Sequence, residues 1–318
     1  MAYPANRRDG RVLESLKKCA ASAEQSGGGR WSFALGNGKS FAVTARAVDE
    51  WLLLDLPLTD RIARGEMWDL LRMNATLEGP SKFVLMPDNR SVHLRADIPL
   101  FEEEYGETEC EGETDDDPAR RVETACAGLK AALRSFRGEA TNKRVVKSGQ
   151  SEGVDESRAQ ELQRLCGEAG WPFIERAAGK LAIDLDARGG FYQALVEQRS
   201  SGAHVSVEVA VCDALAATSR QAISTLLLKT GGVVRMARPS VDEQESRVAA
   251  RFEVAFVAPP TAIELAHALS SLSVACSLCG RETQALRDET IANDYLAIAG
   301  IAAGPAEVRE EAMHSAAD

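Results

Sequence analysis

Residues 70–100, LLRMNATLEGPSKFVLMPDNRSVHLRADIPL, decide the fold, because residues 226–256, LLLKTGGVVRMARPSVDEQESRVAARFEVAF, repeat their pattern. Leu70, Leu71, Val92, Arg95, Asp97, Ile98 and Leu100 meet Leu226, Leu227, Val248, Arg251, Glu253, Val254 and Phe256 at one constant offset of 156. Each copy reads as a leucine-rich helix end, a turn region and an alternating strand. Internal repeats set the architecture of a chain. Two copies of a unit this long indicate a duplicated domain, not a solenoid of short repeats.

Outward from each copy the pattern continues. Val12, Leu13, Leu16 and Cys19 follow helical spacing over 10–25. Strands are expected at 31–35, 40–47 and 50–58, a helix at 60–74, strands near 82–86 and 91–100, and a helix over 119–137 carrying Val122, Cys126, Leu129 and Leu133 on one side. After polar residues the order restarts. A helix is expected at 157–169, strands near 171–176, 180–186 and 203–212, a helix at 219–229, strands near 233–238 and 246–257, and a long helical region over 261–297. Arg188-Gly189-Gly190 reads as a loop. The expected fold is α+β: two tandem α-β-β-β-α-β-β-α domains, each a mainly antiparallel sheet packed against helices. The β-β connections are too short for parallel crossovers. The expected boundaries are 1–140 for the first domain, 141–156 for a linker, 157–300 for the second domain and 301–318 for a C-terminal tail.

The chain has 318 residues, 45% of them apolar, enough for two aliphatic cores. Its formal net charge of -11 argues against a general phosphate-binding surface, and no nucleic-acid partner is expected. Residues 102–117, EEEYGETECEGETDDD, hold ten carboxylates and no Lys or Arg. This run lies in an expected acidic loop over 102–118 and has no calcium-loop register, so it reads as solvated chain. The N-terminal residues show no apolar signal region, and no run of 18 apolar residues is present, so no membrane association is expected. Seven cysteines at scattered spacing do not form a secreted disulfide framework. A cytoplasmic location is expected.

The order of elements resembles the class I type III secretion chaperone fold and the related YbjN-like family. Residues 70–100 carry the resemblance: a leucine pair, the Pro87-Asp88 turn, and a strand reading Arg95-x-Asp97-x-Pro99-Leu100. The second copy keeps the hydrophobic frame and replaces the Pro-Asp turn with Val241-Asp242-Glu243. The resemblance implies a non-enzymatic module that binds a protein or an unfolded peptide segment. It also implies paired domains, either within one chain as a covalent pseudo-dimer or between chains as a homodimer. Alternatives are a YbjN-like scaffold or regulatory protein binding a folded partner, and an enzyme with an interdomain site.

Strand alternation nominates the binding residues. Leu52, Leu54, Leu56 and Leu58 share one face of their strand, while Trp51 and Leu53 share the other. If helices cover only one face, Trp51 and Leu53 form an exposed apolar partner site; otherwise Trp51 packs against the other domain or a terminal helix. In the second copy, the outer series His204, Ser206, Glu208 reads as wet. Arg95/Asp97 and Arg251/Glu253 read as a solvated charge pattern. Cys276-x-x-Cys279 sits inside an expected helix and reads as a buried pair, since no second ligand pair lies nearby. The histidines and glycines match no hydrolase, metalloprotease, Walker or dinucleotide motif. No catalytic residue, cofactor or metal ligand is nominated.

Overall fold

The computed structural model describes residues 5–20, 22–35, 41–59, 66–88, 91–100, 118–137, 156–200 and 202–301. The acidic run 102–117, linker residues 141–155 and tail residues 302–318 lie outside the described residues.

The first unit contains α1 (Ala5–Cys19), β1 (Glu24–Gly27), β2 (Arg30–Leu35), β3 (Phe41–Val48), β4 (Trp51–Thr59), α2 (Glu66–Asn74), β5 (Ser81–Leu85), β6 (Val92–Pro99) and α3 (Pro118–Phe136). The second contains α4 (Glu156–Glu168), β7 (Ile174–Ala177), β8 (Lys180–Ala187), β9 (Gly190–Gln198), β10 (Ala203–Cys212), α5 (Ala217–Val233), β11 (Arg238–Gln244), β12 (Arg247–Ala255), α6 (Ala262–Ala285) and α7 (Glu289–Ile298). The sheets have six strands each, in the orders β1-β2-β3-β4-β6-β5 and β7-β8-β9-β10-β12-β11. Strand for strand the two orders are the same. Every hydrogen-bonded neighbour is antiparallel. The chain is thus α+β, with two sheet-bearing domains.

The cores follow the alternation. Leu52, Leu54 and Leu56 of β4 and Leu94, Ala96 and Ile98 of β6 are buried, as are Val122, Cys126 and Leu129 of α3. In the second unit Phe252 and Val254 meet Leu265, Leu269 and Leu272 of α6 in the same apolar core. By length and composition α6 could cross a bilayer, a stretch not expected from the sequence; these leucines instead pack inside the second unit. Its start is fixed by a capping box, in which Thr261 accepts from the Glu264 N–H and the Glu264 carboxylate accepts from the Thr261 N–H.

Four expectations change. Each unit has one strand more than the five expected; in the first it is β1. The strand that was missed in the second unit is β9; its inward series Tyr192, Ala194 and Val196 is buried, and Arg188-Gly189 is the two-residue turn before it, with Gly189 at φ 98. The strand expected at 233–238 lies at Arg238–Gln244, because α5 runs on to Val233. The long terminal helix breaks where Asp288 caps α7 by accepting from the Thr290 and Ile291 N–H groups.

Candidate functional site

The two units meet through their repeated stretches. α5 packs against β5 and α2 against β11, so each middle helix lies against the edge strand of the other unit. At this seam the 156-residue offset has chemical content. Lys82 of β5 is 0% exposed and pairs with Asp97 of β6, with Nζ 2.6 Å from Oδ2. Arg238 and Glu253, the residues 156 positions on, form the matching pair, with Nε 2.9 Å from Oε1. Lys82 also donates across the seam to the carbonyls of Val234 (2.7 Å) and Ala237 (3.2 Å). Arg238 returns the contact by donating to the carbonyls of Gly79 (3.1 Å) and Ser81 (3.4 Å). Ser81 and Ala237 are themselves offset by 156, so the exchange is reciprocal, as in an isologous interface.

Further contacts complete the seam. The Met236 N–H donates to Asp97 Oδ2 at 3.0 Å, holding Met236 at φ 56. The Arg95 guanidinium donates to the Gly232 carbonyl at 2.6 Å and to Asp55 Oδ2 at 3.2 Å, while His93 Nδ1 lies 2.9 Å from Asp55 Oδ1. Asn74 donates to the Phe83 and Pro239 carbonyls and accepts from the Phe83 N–H. At the rim Trp68 and Arg72 both donate to the Glu243 carboxylate.

The charges respond to this environment. Burial pushes the Lys82 ammonium down from its ordinary value, against the pull of Asp97. Burial pushes Glu253 up, but the Arg238 charge, His204 and Arg251 overcome it and bring the carboxyl down to about 2. Asp55 is likewise lowered: burial opposes, and His93 and Arg95 prevail. These contacts tie side chains of each unit to main chain of the other, an arrangement suited to fixing two sheets together.

The seam overturns the expectation of a solvated charge pattern. Arg95, Asp97 and Glu253 are buried because the opposite unit covers them. The exposed site expected at Trp51 and Leu53 is corrected too, and Trp51 takes the other reading, packing against the second unit. Leu53 is 2% exposed, and Trp51 is half-buried, its ring edge-on to His267 of α6 at 6.0 Å between centroids. Strand alternation assigns a side chain to a face but does not say what covers that face.

The ladders also align the two outer faces. Leu53 lies opposite Asp97, as Ser206 lies opposite Glu253; Trp51 lies opposite Pro99, as His204 lies opposite Ala255. Trp51 and Leu53 therefore correspond to His204 and Ser206. Continuing outward, Leu53 pairs with Arg46 and Arg46 with Arg30, while Ser206 pairs with Leu195, Leu195 with Ala182 and Ala182 with Ile174. The first outer face ends in two arginines and the second in an apolar row. Phe191, on the same face of β9 as Leu195, is 87% exposed, and Ile174 is 55% exposed.

Cys276 and Cys279 are fully buried on α6, and burial pushes their thiols up to about 12 and about 11. Val274 and Leu278 share the outward face of that helix. Among the described residues no group of three or more His, Cys, Asp or Glu could hold a metal ion. Compared with family models, with characterised proteins and with solved structures, the chain gives no significant match. The seam pairs were within reach of the sequence: Lys82 over Arg238 and Asp97 over Glu253 repeat a cation and a carboxylate at matching places.

Proposed function

We propose that the chain is a non-enzymatic protein-binding module, built as a covalent pseudo-dimer of two chaperone-like α+β units. The observation that carries this reading is the reciprocal seam. Lys82–Asp97 and Arg238–Glu253 each reach main-chain carbonyls of the opposite unit, as the two halves of a symmetric dimer would. The binding surface is the second outer face beside the exposed edge strand β7, where exposed Ile174 and half-buried Leu195 share one cross-strand row and exposed Phe191 stands at the hairpin end of β9, beyond the polar row of Arg176, Gln193 and Asp184. Exposed apolar side chains grouped on one face mark interaction sites. The ligand class is an unfolded apolar peptide segment.

Reduced, carboxymethylated α-lactalbumin, a permanently unfolded chain, is the probe. The native protein is expected to bind it in a fluorescence anisotropy titration. A variant carrying Ile174→Asp and Phe191→Asp is expected to bind at least about tenfold more weakly, the loss of one buried apolar side chain or more, with an unchanged thermal midpoint. Absence of binding by the native protein, with a small molecule retained in native mass spectra, refutes the reading. Equal binding by the variant moves the surface elsewhere and refutes this assignment.

A further inference from the structure

The thiols of α1 and α3 are placed for chemistry that the binding reading does not use. Cys19 is the last residue of α1, and it lies over one stripe of α3 formed by Val122, Cys126 and Lys130, successive positions four apart. Its Sγ is 4.0 Å from the Val122 carbonyl oxygen, and its own carbonyl accepts from Lys130 Nζ at 3.4 Å. One residue earlier, Lys18 Nζ is 3.8 Å from a Glu123 oxygen. On α3 Val122 lies one turn before Cys126, so the Cys19 sulfur beside the Val122 carbonyl sits next to the Cys126 side chain. Cys19 is half-buried and Cys126 is buried, so one sulfur of the pair meets solvent and the other sits behind it. Among the described cysteines the others are placed differently. Cys276 and Cys279 lie one turn apart on a single helix and are fully buried.

We propose that Cys19 and Cys126 are a redox-active dithiol that closes to a disulfide, tying α1 to α3, when the protein meets a low-molecular-weight disulfide such as oxidised glutathione. The Cys19 sulfur attacks one sulfur of the oxidant, whose S–S bond breaks, and the first glutathione leaves as a thiol with the proton Cys19 gave up. Cys126 then loses its proton and attacks the Cys19 sulfur of the mixed disulfide, releasing the second glutathione. Two protein thiols are oxidised by two electrons, and one oxidant disulfide is reduced to two thiols. Cys19 is the more exposed sulfur and its thiol is lowered by the neighbouring Cys126, while Cys19 and burial raise Cys126; this sets the order of attack, since the thiolate is the nucleophile.

The test uses the full chain, folded and reduced, incubated with oxidised glutathione and mapped by non-reducing peptide mass spectrometry. The expected product is a linked Cys19–Cys126 peptide, reversed by dithiothreitol, with slower hydrogen exchange at the end of α1. Cys126→Ser is expected to trap glutathione on Cys19, and Cys19→Ser to leave residue 126 unmodified. Wild-type protein that holds glutathione on Cys19 without the link, pairs Cys19 with another cysteine, or forms the link only in denaturant overturns the proposal.

Discussion

Replacing Lys82 with Met tests the seam at its centre. The ammonium is fully buried and satisfies three acceptors: Asp97 Oδ2 and the carbonyls of Val234 and Ala237. Methionine has similar length but no donor. Asp97 then keeps one protein donor at that oxygen, the Met236 N–H. Removing one partner of a buried ion pair costs about 3–5 kcal/mol, because the remaining charge is left uncompensated. Replacing both partners is different. In Lys82→Met with Asp97→Leu no charge is stranded, and the loss falls to the unpaired Met236 N–H and the two carbonyls, about 1–3 kcal/mol for a group left buried and unsatisfied. The double variant is therefore expected to be more stable than Lys82→Met alone, with a coupling of about 2 kcal/mol or more, within the range of direct contacts. Urea unfolding followed by tryptophan fluorescence reads these values. A Lys82→Met loss below about 1 kcal/mol, the scale of an exposed pair, would refute burial at the seam. So would losses that simply add.

Two more predictions follow from the same region. Glu253 has a folded pKa of about 2, below the ordinary carboxylate value of 4.5, so its contribution is complete above the unfolded value and is lost as pH falls from about 4.5 towards 2, about 3 kcal/mol in all; urea midpoints taken between pH 5 and 2.5 should drop, and Glu253→Gln should flatten that dependence while lowering stability at pH 7. Gly232→Ala should destabilise by about 1–3 kcal/mol although alanine favours a helix by about 1 kcal/mol, because the added Cβ would lie 2.9 Å from the Leu85 carbonyl oxygen across the seam; a rise in the thermal midpoint would show that α5 does not approach β5 this closely.

Periodicity made much of the fold legible. The 156-residue offset located both middle helices and closing strands, and the alternation in β4 and β6 identified their inward series. Two kinds of information were not local. β9 was hidden because the glycines before it looked like the end of structure; Gly189 instead makes the tight turn into the strand. The seam was hidden because a strand's outer face has the same pattern whether it meets water or another unit. Arg95 and Asp97 suit solvent equally well, and only the second unit's carbonyl and N–H groups, at Gly232 and Met236, determine that they are buried. Alternation left Trp51 open between an exposed site and the other domain on the same ground, since its neighbour His267 lies far away in the chain.

Fusion of the two halves into one chain changes what a substitution does. In a symmetric homodimer each replacement appears on both sides of the axis, so a face altered for one purpose is altered twice. Here Arg46 and Leu195 occupy corresponding places, as do Trp51 and His204, and each position is inherited separately. The tether also makes the encounter of the halves intramolecular, so dilution does not part them. One half can thus keep a cationic face while its twin keeps an apolar one, a division of labour closed to any pair of identical subunits.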